Sequence, residues 1–367
     1  MSNLACGIVG LPNVGKSTLF NAITRAGAEA ANYPFCTIEP NVGIVPVPDK
    51  RVDDLAEIVK PNKIQYATIE FVDIAGLVRG ASSGEGRGNQ FLENIQHTDA
   101  IVQVVRCFDN DDVVHVDGKV DPISDIETIN LELALADLEK VNRNIERLGK
   151  KVRSGDKDAV KTVEVLQKIQ PALNEGKAIR SVDLNDDEKK LIKHYMFITV
   201  KEMIYCCNVS EDDLPEMENE YVQQVRNYAT AENAGVVTIC AQIEQEIAQL
   251  DKEEAAEFLT DVGLTESGLD KLIHKSFQTL GLSTYLTAGE IEVRAWTIPM
   301  NCPAPQAAAV IHTDFEKGFI RAEVIAFDDV IEHGGRQGAK EAGKVRVEGK
   351  DYLVQDGDVI LFLTNTK

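Results

Sequence analysis

No apolar run in this chain of 367 residues is long enough to cross a bilayer, and Met1-Ser-Asn-Leu-Ala leads straight into an apolar strand pattern rather than a cleavable leader. Both absences predict a cytoplasmic protein with no membrane role. Cysteine is sparse and badly spaced for chemistry. The seven residues Cys6, Cys36, Cys107, Cys206, Cys207, Cys240 and Cys302 are odd in number, match no zinc spacing, and include an adjacent pair unsuited to redox exchange. They read as reduced, buried small hydrophobes. Positive charge is also short: 38 Lys and Arg stand against 60 Asp and Glu, a net charge of −22. Most of such a surface repels phosphate, which excludes general coating of nucleic acid but not a local basic face. There is no internal repeat and no low-complexity stretch. What remains, 44% apolar and 27% charged residues, is ample for a core, and the length predicts two or three domains.

The most informative stretch is Gly10-Leu-Pro-Asn-Val-Gly15-Lys16-Ser17-Thr18. Two glycines around four residues, followed by Lys and Ser, make a phosphate-binding loop. Glycine lets backbone N–H groups approach phosphates without a Cβ clash, at a helix N-terminus that already favours an anion. The pattern therefore puts Gly10, Asn13, Val14, Gly15, Lys16, Ser17 and Thr18 around a nucleotide. Lys16 reaches the β- and γ-phosphates, and the Ser17 hydroxyl ligates Mg²⁺. Asn13 stands where it could assist a monovalent cation. The flanks agree: Leu4-Ala-Cys-Gly-Ile-Val9 reads as a buried strand, and Ser17 to Arg25 has helical apolar spacing.

Further strand-like segments follow at 41–47, 68–74 and 100–106, interleaved with helical ones, which predicts a parallel, helix-covered sheet. Apolar residues then recur at three- and four-residue steps from Ile126 to Val152, and again from Val160 to Leu173, with a turn at Ser154-Gly-Asp. That is an antiparallel helical hairpin of coiled-coil type, inserted into the nucleotide region, because strand patterns resume at 203–208 and 235–240. Lys140, Arg143, Arg147, Lys150, Lys151, Arg153, Lys157 and Lys161 crowd the hairpin. Two readings stand for them: a basic face for a polyanion, or a solvated mixed-charge surface shared with Glu139, Glu146, Asp156 and Asp158. After about Ser283 short strands with few helices predict a small mixed-sheet domain.

Three more elements belong to the nucleotide site. Asp73-Ile-Ala-Gly76 ends a strand; Asp73 can hold Mg²⁺ through water, and the Gly76 N–H can meet the γ-phosphate. Thr37, between the first helix and the next strand, can complete the Mg²⁺ shell as a switch residue. Asn208-Val-Ser-Glu211 occupies the place where guanine-specific proteins carry Asn-Lys-x-Asp. Val209 replaces the Lys and Glu211 is one methylene longer than Asp, which favours ATP or relaxed specificity. Leu77 follows Gly76 where a water-orienting Gln is common, so turnover should be slow. His115 either reaches the site from the loop after the fourth strand or is a solvated or structural histidine.

Together, Gly10 to Ser17, Phe35-Cys-Thr-Ile-Glu-Pro-Asn41, Phe71-Val-Asp-Ile-Ala-Gly-Leu-Val78, Gly88-Asn-Gln-Phe91 and Asn208-x-x-Glu211 resemble the YchF-type Obg-like ATPases. The resemblance continues through Arg294-Ala-Trp-Thr-Ile298 and His312-Thr-Asp-Phe-Glu-Lys-Gly-Phe-Ile320, and so covers essentially the whole chain. It implies an α/β fold: a Ras-like nucleotide domain (1–130 plus 200–280), an inserted antiparallel coiled coil (131–199) and a C-terminal β-grasp TGS domain (281–367). It implies Mg²⁺-dependent hydrolysis of ATP in preference to GTP, with Ser17 and Thr37 as metal ligands, backbone contacts from Val209 to adenine, and His115 as the catalytic histidine. Its implied partners are ribosomal, with nucleic acid in a cleft between hairpin and TGS domain. A ribosome-assembly GTPase and a nucleotide-gated scaffold with incidental hydrolysis are the alternatives.

Overall fold

Continuous apolar runs bury both faces of a strand, and β1 (Ala5–Val9) is buried along its whole length. In the computed structural model, which describes residues 4–28, 41–74, 87–110 and 119–365, it lies inside the first of two six-stranded sheets. The first half of the chain gives β2 (Val42–Pro46), β3 (Lys63–Gln65), β4 (Thr68–Asp73) and the wholly buried β5 (Ala100–Arg106). Then follow β6 (Glu202–Asn208) and β7 (Gly235–Ile239), and the first sheet has the order β2-β4-β1-β5-β6-β7. Every pairing in it is parallel except β2 with β4. That exception departs from the all-parallel expectation. Both strands alternate buried and half-buried residues, as befits the sheet's margin. Helices α1 (Lys16–Ala28), α2 (Lys50–Val59) and α3 (Arg87–Gln96) come from the same part of the chain.

The hairpin is α4 (Pro122–Arg153) and α5 (Lys157–Asn174), antiparallel as the stripes require and longer at the first end than expected. Asp121 caps α4 by accepting from Ser124 N–H, and Pro122 fits the first turn, where no N–H is needed. At about 1.5 Å per residue α4 is roughly 48 Å long and serves two cores. Ile126, Ile129 and Leu133 pack into the main core, whereas Ala134 and Val141 meet Val165, Leu166, Ile169 and Leu173 of α5. The expected boundary at residue 130 falls inside this helix. A third layer, with Ile179, Leu184, Tyr195, Phe197 and α6 (Asp186–Ile192), completes the hairpin core. Buried Asp137 fixes the return by accepting from Ile198 N–H (3.0 Å), Thr199 N–H (2.7 Å) and Thr199 Oγ1 (2.7 Å).

The chain then adds α7 (Glu220–Glu232), α8 (Ala241–Ile247), α9 (Lys252–Asp261) and α10 (Gly268–Thr279) before entering the second sheet. That sheet contains β8 (Leu282–Ala288), β9 (Glu292–Pro299), β10 (Phe319–Ile325), β11 (Arg346–Glu348) and β12 (Val359–Thr364), in the order β11-β10-β12-β8-β9-β3. Tyr285, Trp296, Ile298, Phe319, Val324 and Phe362 fill its own core beneath α11 (Ala304–Ile311). The region holds more helix than its pattern predicts: α12 (Thr313–Lys317), α13 (Phe327–Glu332) and α14 (Arg336–Glu341) are each too short to show a period. The sixth strand, β3, comes from the other end of the chain.

The candidate nucleotide site

The loop after β1 turns sharply, with Asn13 at φ 64° and Gly15 at φ 93° in the left-handed region. A Cβ on Gly10 would stand 2.8 Å from Val14 Cγ2 and 3.1 Å from Val104 O, so the close passage of β5 demands glycine. A Cβ on Gly15 would stand 2.2 Å from Asn208 Nδ2. Ser17 is exposed and Thr18 half-buried in the first turn of α1, which carries no acidic residue to compete with an anion there.

Parallel pairing of β1 with β4 brings Ile8 opposite Asp73, and Ile74 N–H donates to Ile8 O at 3.1 Å. Lys16 Nζ, 11% exposed, bonds to Asp73 Oδ1, whose side chain is 21% exposed. Loop lysine and strand-end aspartate thus face each other where the sequence places phosphate and metal. A hydroxyl at Ser17 and a carboxylate at Asp73 are hard oxygen donors that suit Mg²⁺.

Asn208 is only 4% exposed, and both ends of its side-chain amide are bonded within the protein. Its Nδ2 donates to Val14 O at 3.0 Å and its Oδ1 accepts from Ala241 N–H at 2.9 Å. It therefore pins the phosphate loop to the end of β6 and to the start of α8. Buried Val209 donates its N–H to Ile239 O at 2.9 Å. Glu211 is exposed at the head of a short 3₁₀ turn, Glu211–Asp213, which Ser210 and Asp213 cap reciprocally. The Cys240 thiol, pushed up mainly by burial, also feels the Glu211 carboxylate. Residues 208–211 and 240–241 thus converge at one end of the sheet. Thr37, Gly76, Leu77 and His115 lie outside the described residues.

Two contributors carry no sequence signal of a known motif. Ala241 acts through its backbone alone. Arg106, 1% exposed at the end of β5, donates from Nε to Phe108 O (3.1 Å) and from Nη2 to Asn110 O (3.1 Å). Asn219 Nδ2 donates to Cys107 O at 2.8 Å and Tyr221 Oη donates to Asp109 at 3.0 Å. These bonds set the exit of the chain from β5 as far as Asn110. A charged residue closing an apolar strand was the available clue.

A family described as 50S ribosome-binding GTPase matches residues 5–148, and YchF-GTPase_C, described as a protein of unknown function, matches residues 282–365. A protein of Pasteurella multocida named "Ribosome-binding ATPase YchF" is 61% identical over 98% of this chain and 99% of its own length. The protein of the same name in Bacillus subtilis is 57% identical over 99% of each. The chain belongs to the YchF family. A solved structure titled the Schizosaccharomyces pombe YchF GTPase superimposes with a TM-score of 0.88, at 38% identity, over 98% of both chains. The first family match ends inside α4 and the second begins at the first residue of β8. The intervening hairpin and strands therefore belong to YchF through the full-length relatives. YchF proteins carry both ATPase and GTPase in their names, which puts weight on residues 208–211.

Proposed function

We propose that this chain is a slow, Mg²⁺-dependent ATPase whose nucleotide state governs its engagement with ribosomes in the cytoplasm. The meeting of Lys16 and Asp73 at the ends of α1 and β4, beside the glycine loop, is the observation that carries this reading. Backbone N–H groups of residues 10–18 and Lys16 Nζ hold the β- and γ-phosphates and offset their charge. Ser17, Thr37 and Asp73 would hold Mg²⁺, which supplies Lewis-acid charge at the phosphoryl oxygens. Gly76 N–H meets the γ-phosphate, and His115 orients water in place of the group that Leu77 lacks. Asn208 keeps the loop in register while Val209 and Glu211 face the base. Guanine pairing needs the shorter, well-placed acid that Glu211 does not supply, so adenine is preferred.

The domain division at residues 130, 200 and 281 belongs to the same proposal, with the hairpin and C-terminal domain as the parts that meet the ribosome. Relatives bear the name "Ribosome-binding ATPase". At the hairpin tip Arg147, Lys150, Lys151, Arg153, Lys157 and Lys161 are exposed, and we assign nucleic acid to this end of the cleft. Lys140 does not belong to that face, since its Nζ donates to Tyr195 O and Met196 O, each at 3.2 Å. Among the described residues no helix is long and apolar enough to cross a membrane.

Calorimetric titration with Mg-ATP and Mg-GTP, with turnover of the native chain and of His115→Ala, tests this reading. ATP should bind at least tenfold tighter, a difference of about 1.4 kcal/mol. His115→Ala should slow turnover at unchanged ATP affinity. Equal affinities, or a preference for GTP, would sink the ATPase reading and favour the ribosome-assembly GTPase.

A further inference from the structure

Strands β2 and β4 are antiparallel neighbours, paired from Val42↔Val72 to Pro46↔Thr68. A two-residue turn would suffice to join them. Instead the chain between them leaves the first sheet and builds part of the second. Val47 N–H closes the neck of this excursion by donating to Ala67 O at 2.8 Å. Beyond the neck α2 packs on β8 and β9, and β3 pairs in parallel with β9 from Lys63↔Glu292 to Gln65↔Arg294. Asn62 N–H donates to Glu290 O at 3.0 Å. Arg51 of α2 latches the assembly: it is held by Asp49 (2.8 Å) on its own side, and it donates to Asp356 (2.7 Å) and Thr284 Oγ1 (3.1 Å) on the other.

The opposite ends of the same two strands reach the nucleotide site. Asp73 N–H donates to Asn41 O at 2.8 Å, and Asp73 Oδ1 holds Lys16. A two-strand lever therefore runs from Asp73 to the second sheet. A cavity of about 580 Å³ lies at its neck, lined by Val47, Pro48, Ala67, Thr284, Met300 and Asp356. The cavity leaves room on one side of the neck for a change of angle, while Val47 and Ala67 themselves stay in the main core. The covalent joint is a second route between the sheets, where Gly281 turns at φ 65° and its carbonyl accepts from Met300 N–H at 2.8 Å.

We propose that the C-terminal sheet is a regulatory input to the nucleotide site, transmitted through β2 and β4, with Arg51–Asp356 as its latch. The latch restrains the lever in the arrangement that keeps Lys16 on Asp73, and so opposes nucleotide. This inference rests on the proposed function only in that Lys16 must leave Asp73 to reach phosphate. A partner that loads the second sheet changes nucleotide affinity, and nucleotide changes the affinity for that partner by the same factor.

The test uses the full chain with Arg51→Ala, with Asp356→Asn, which keeps an acceptor for Thr284 N–H, and with both. Mg-ATP and Mg-GTP are titrated into each, and amide exchange is followed at Lys63–Gln65 and Glu292–Pro299. Each single substitution should tighten ATP binding about threefold, and the double no further, because one latch is broken in all three. The exchange response of both strands to ATP should shrink in the variants. Unchanged or weaker affinity in both single variants, with the native circular dichroism spectrum kept, overturns the proposal. A native chain that prefers GTP refutes the ATP reading instead, and the latch is then judged by the same comparison with GTP.

Discussion

The two six-stranded sheets draw on different ranges of sequence. In the first, β1, β4, β5 and β6 run parallel, so their C-terminal ends lie side by side. The turn after each carries its own short string, and the phosphate loop, Asp73 and Asn208 converge there without any strand changing partner. The second sheet is a mixed assembly closed by β3, whose partner β9 lies near the other end of the chain. A site at one end of a parallel sheet can be spelled locally. A seam between domains is written in pairings that no local string contains.

The sharpest way to break this contrast is to strike the first sheet alone. Lys16→Ala removes the cation that faces Asp73 and should lower ATP turnover at least ~100-fold, the scale of losing a charge-stabilising donor. The thermal midpoint should move by only a few degrees, since the side chain makes its bond at a partly open site. Retained turnover in that variant would put the active site elsewhere.

Two glycines give a finer comparison. Gly15→Ala drives a methyl group to within 2.2 Å of Asn208 Nδ2, at a φ of 93°. Asn208 must then release Val14 O and Ala241 N–H, at a cost of about 2–4 kcal/mol with the backbone strain, and ATP affinity should fall at least tenfold. Gly281→Ala meets open space, so it should cost only the left-handed penalty of about 1 kcal/mol and leave ATP affinity unchanged. Urea unfolding and nucleotide titration of both variants decide it. Equal effects on ATP affinity would erase the distinction between loop and joint.

Legibility follows the same line. The loop, Asp73, the strands of the first sheet and the two hairpin stripes were all readable, because each rests on spacing within a dozen or so residues. The graft of β3 was not. Lys63-Ile-Gln65 is too short to show alternation, and Ile64 remains exposed even within the sheet. The reversed direction of β2 was equally hidden, since an edge strand has the same alternation in either direction. The bonds that Asn208 makes to Val14 and Ala241 were hidden as well, because both partners are tertiary neighbours. Lys140 lies on the basic stripe, yet the fold turns it onto the carbonyls of Tyr195 and Met196.

The smallest expected effect concerns Glu244, which ties the two regions together. It lies buried on α8, just after the Ala241 that holds Asn208, and accepts from Gly268 N–H (2.7 Å) and Leu269 N–H (3.1 Å) at the start of α10. From there α10 runs into β8 and the second sheet. Burial pushes the Glu244 carboxyl up to about 7, against the pull of those two N–H groups. Because this value exceeds that of the unfolded chain, near 4.5, the folded state holds a proton that the unfolded state has released between the two. Its stabilising contribution is complete below about pH 4.5 and is lost as pH rises through about 7, at no more than about 1.4 kcal/mol per pH unit. Glu244→Gln removes that titration while keeping one acceptor. The stability of the native chain relative to this variant, measured by urea unfolding from pH 5 to 8, should therefore decline with rising pH. A difference that stays flat would mean that the helix N-terminus keeps Glu244 ionised throughout, and that the link between nucleotide loop and second sheet is a standing charge rather than a proton-sensitive joint.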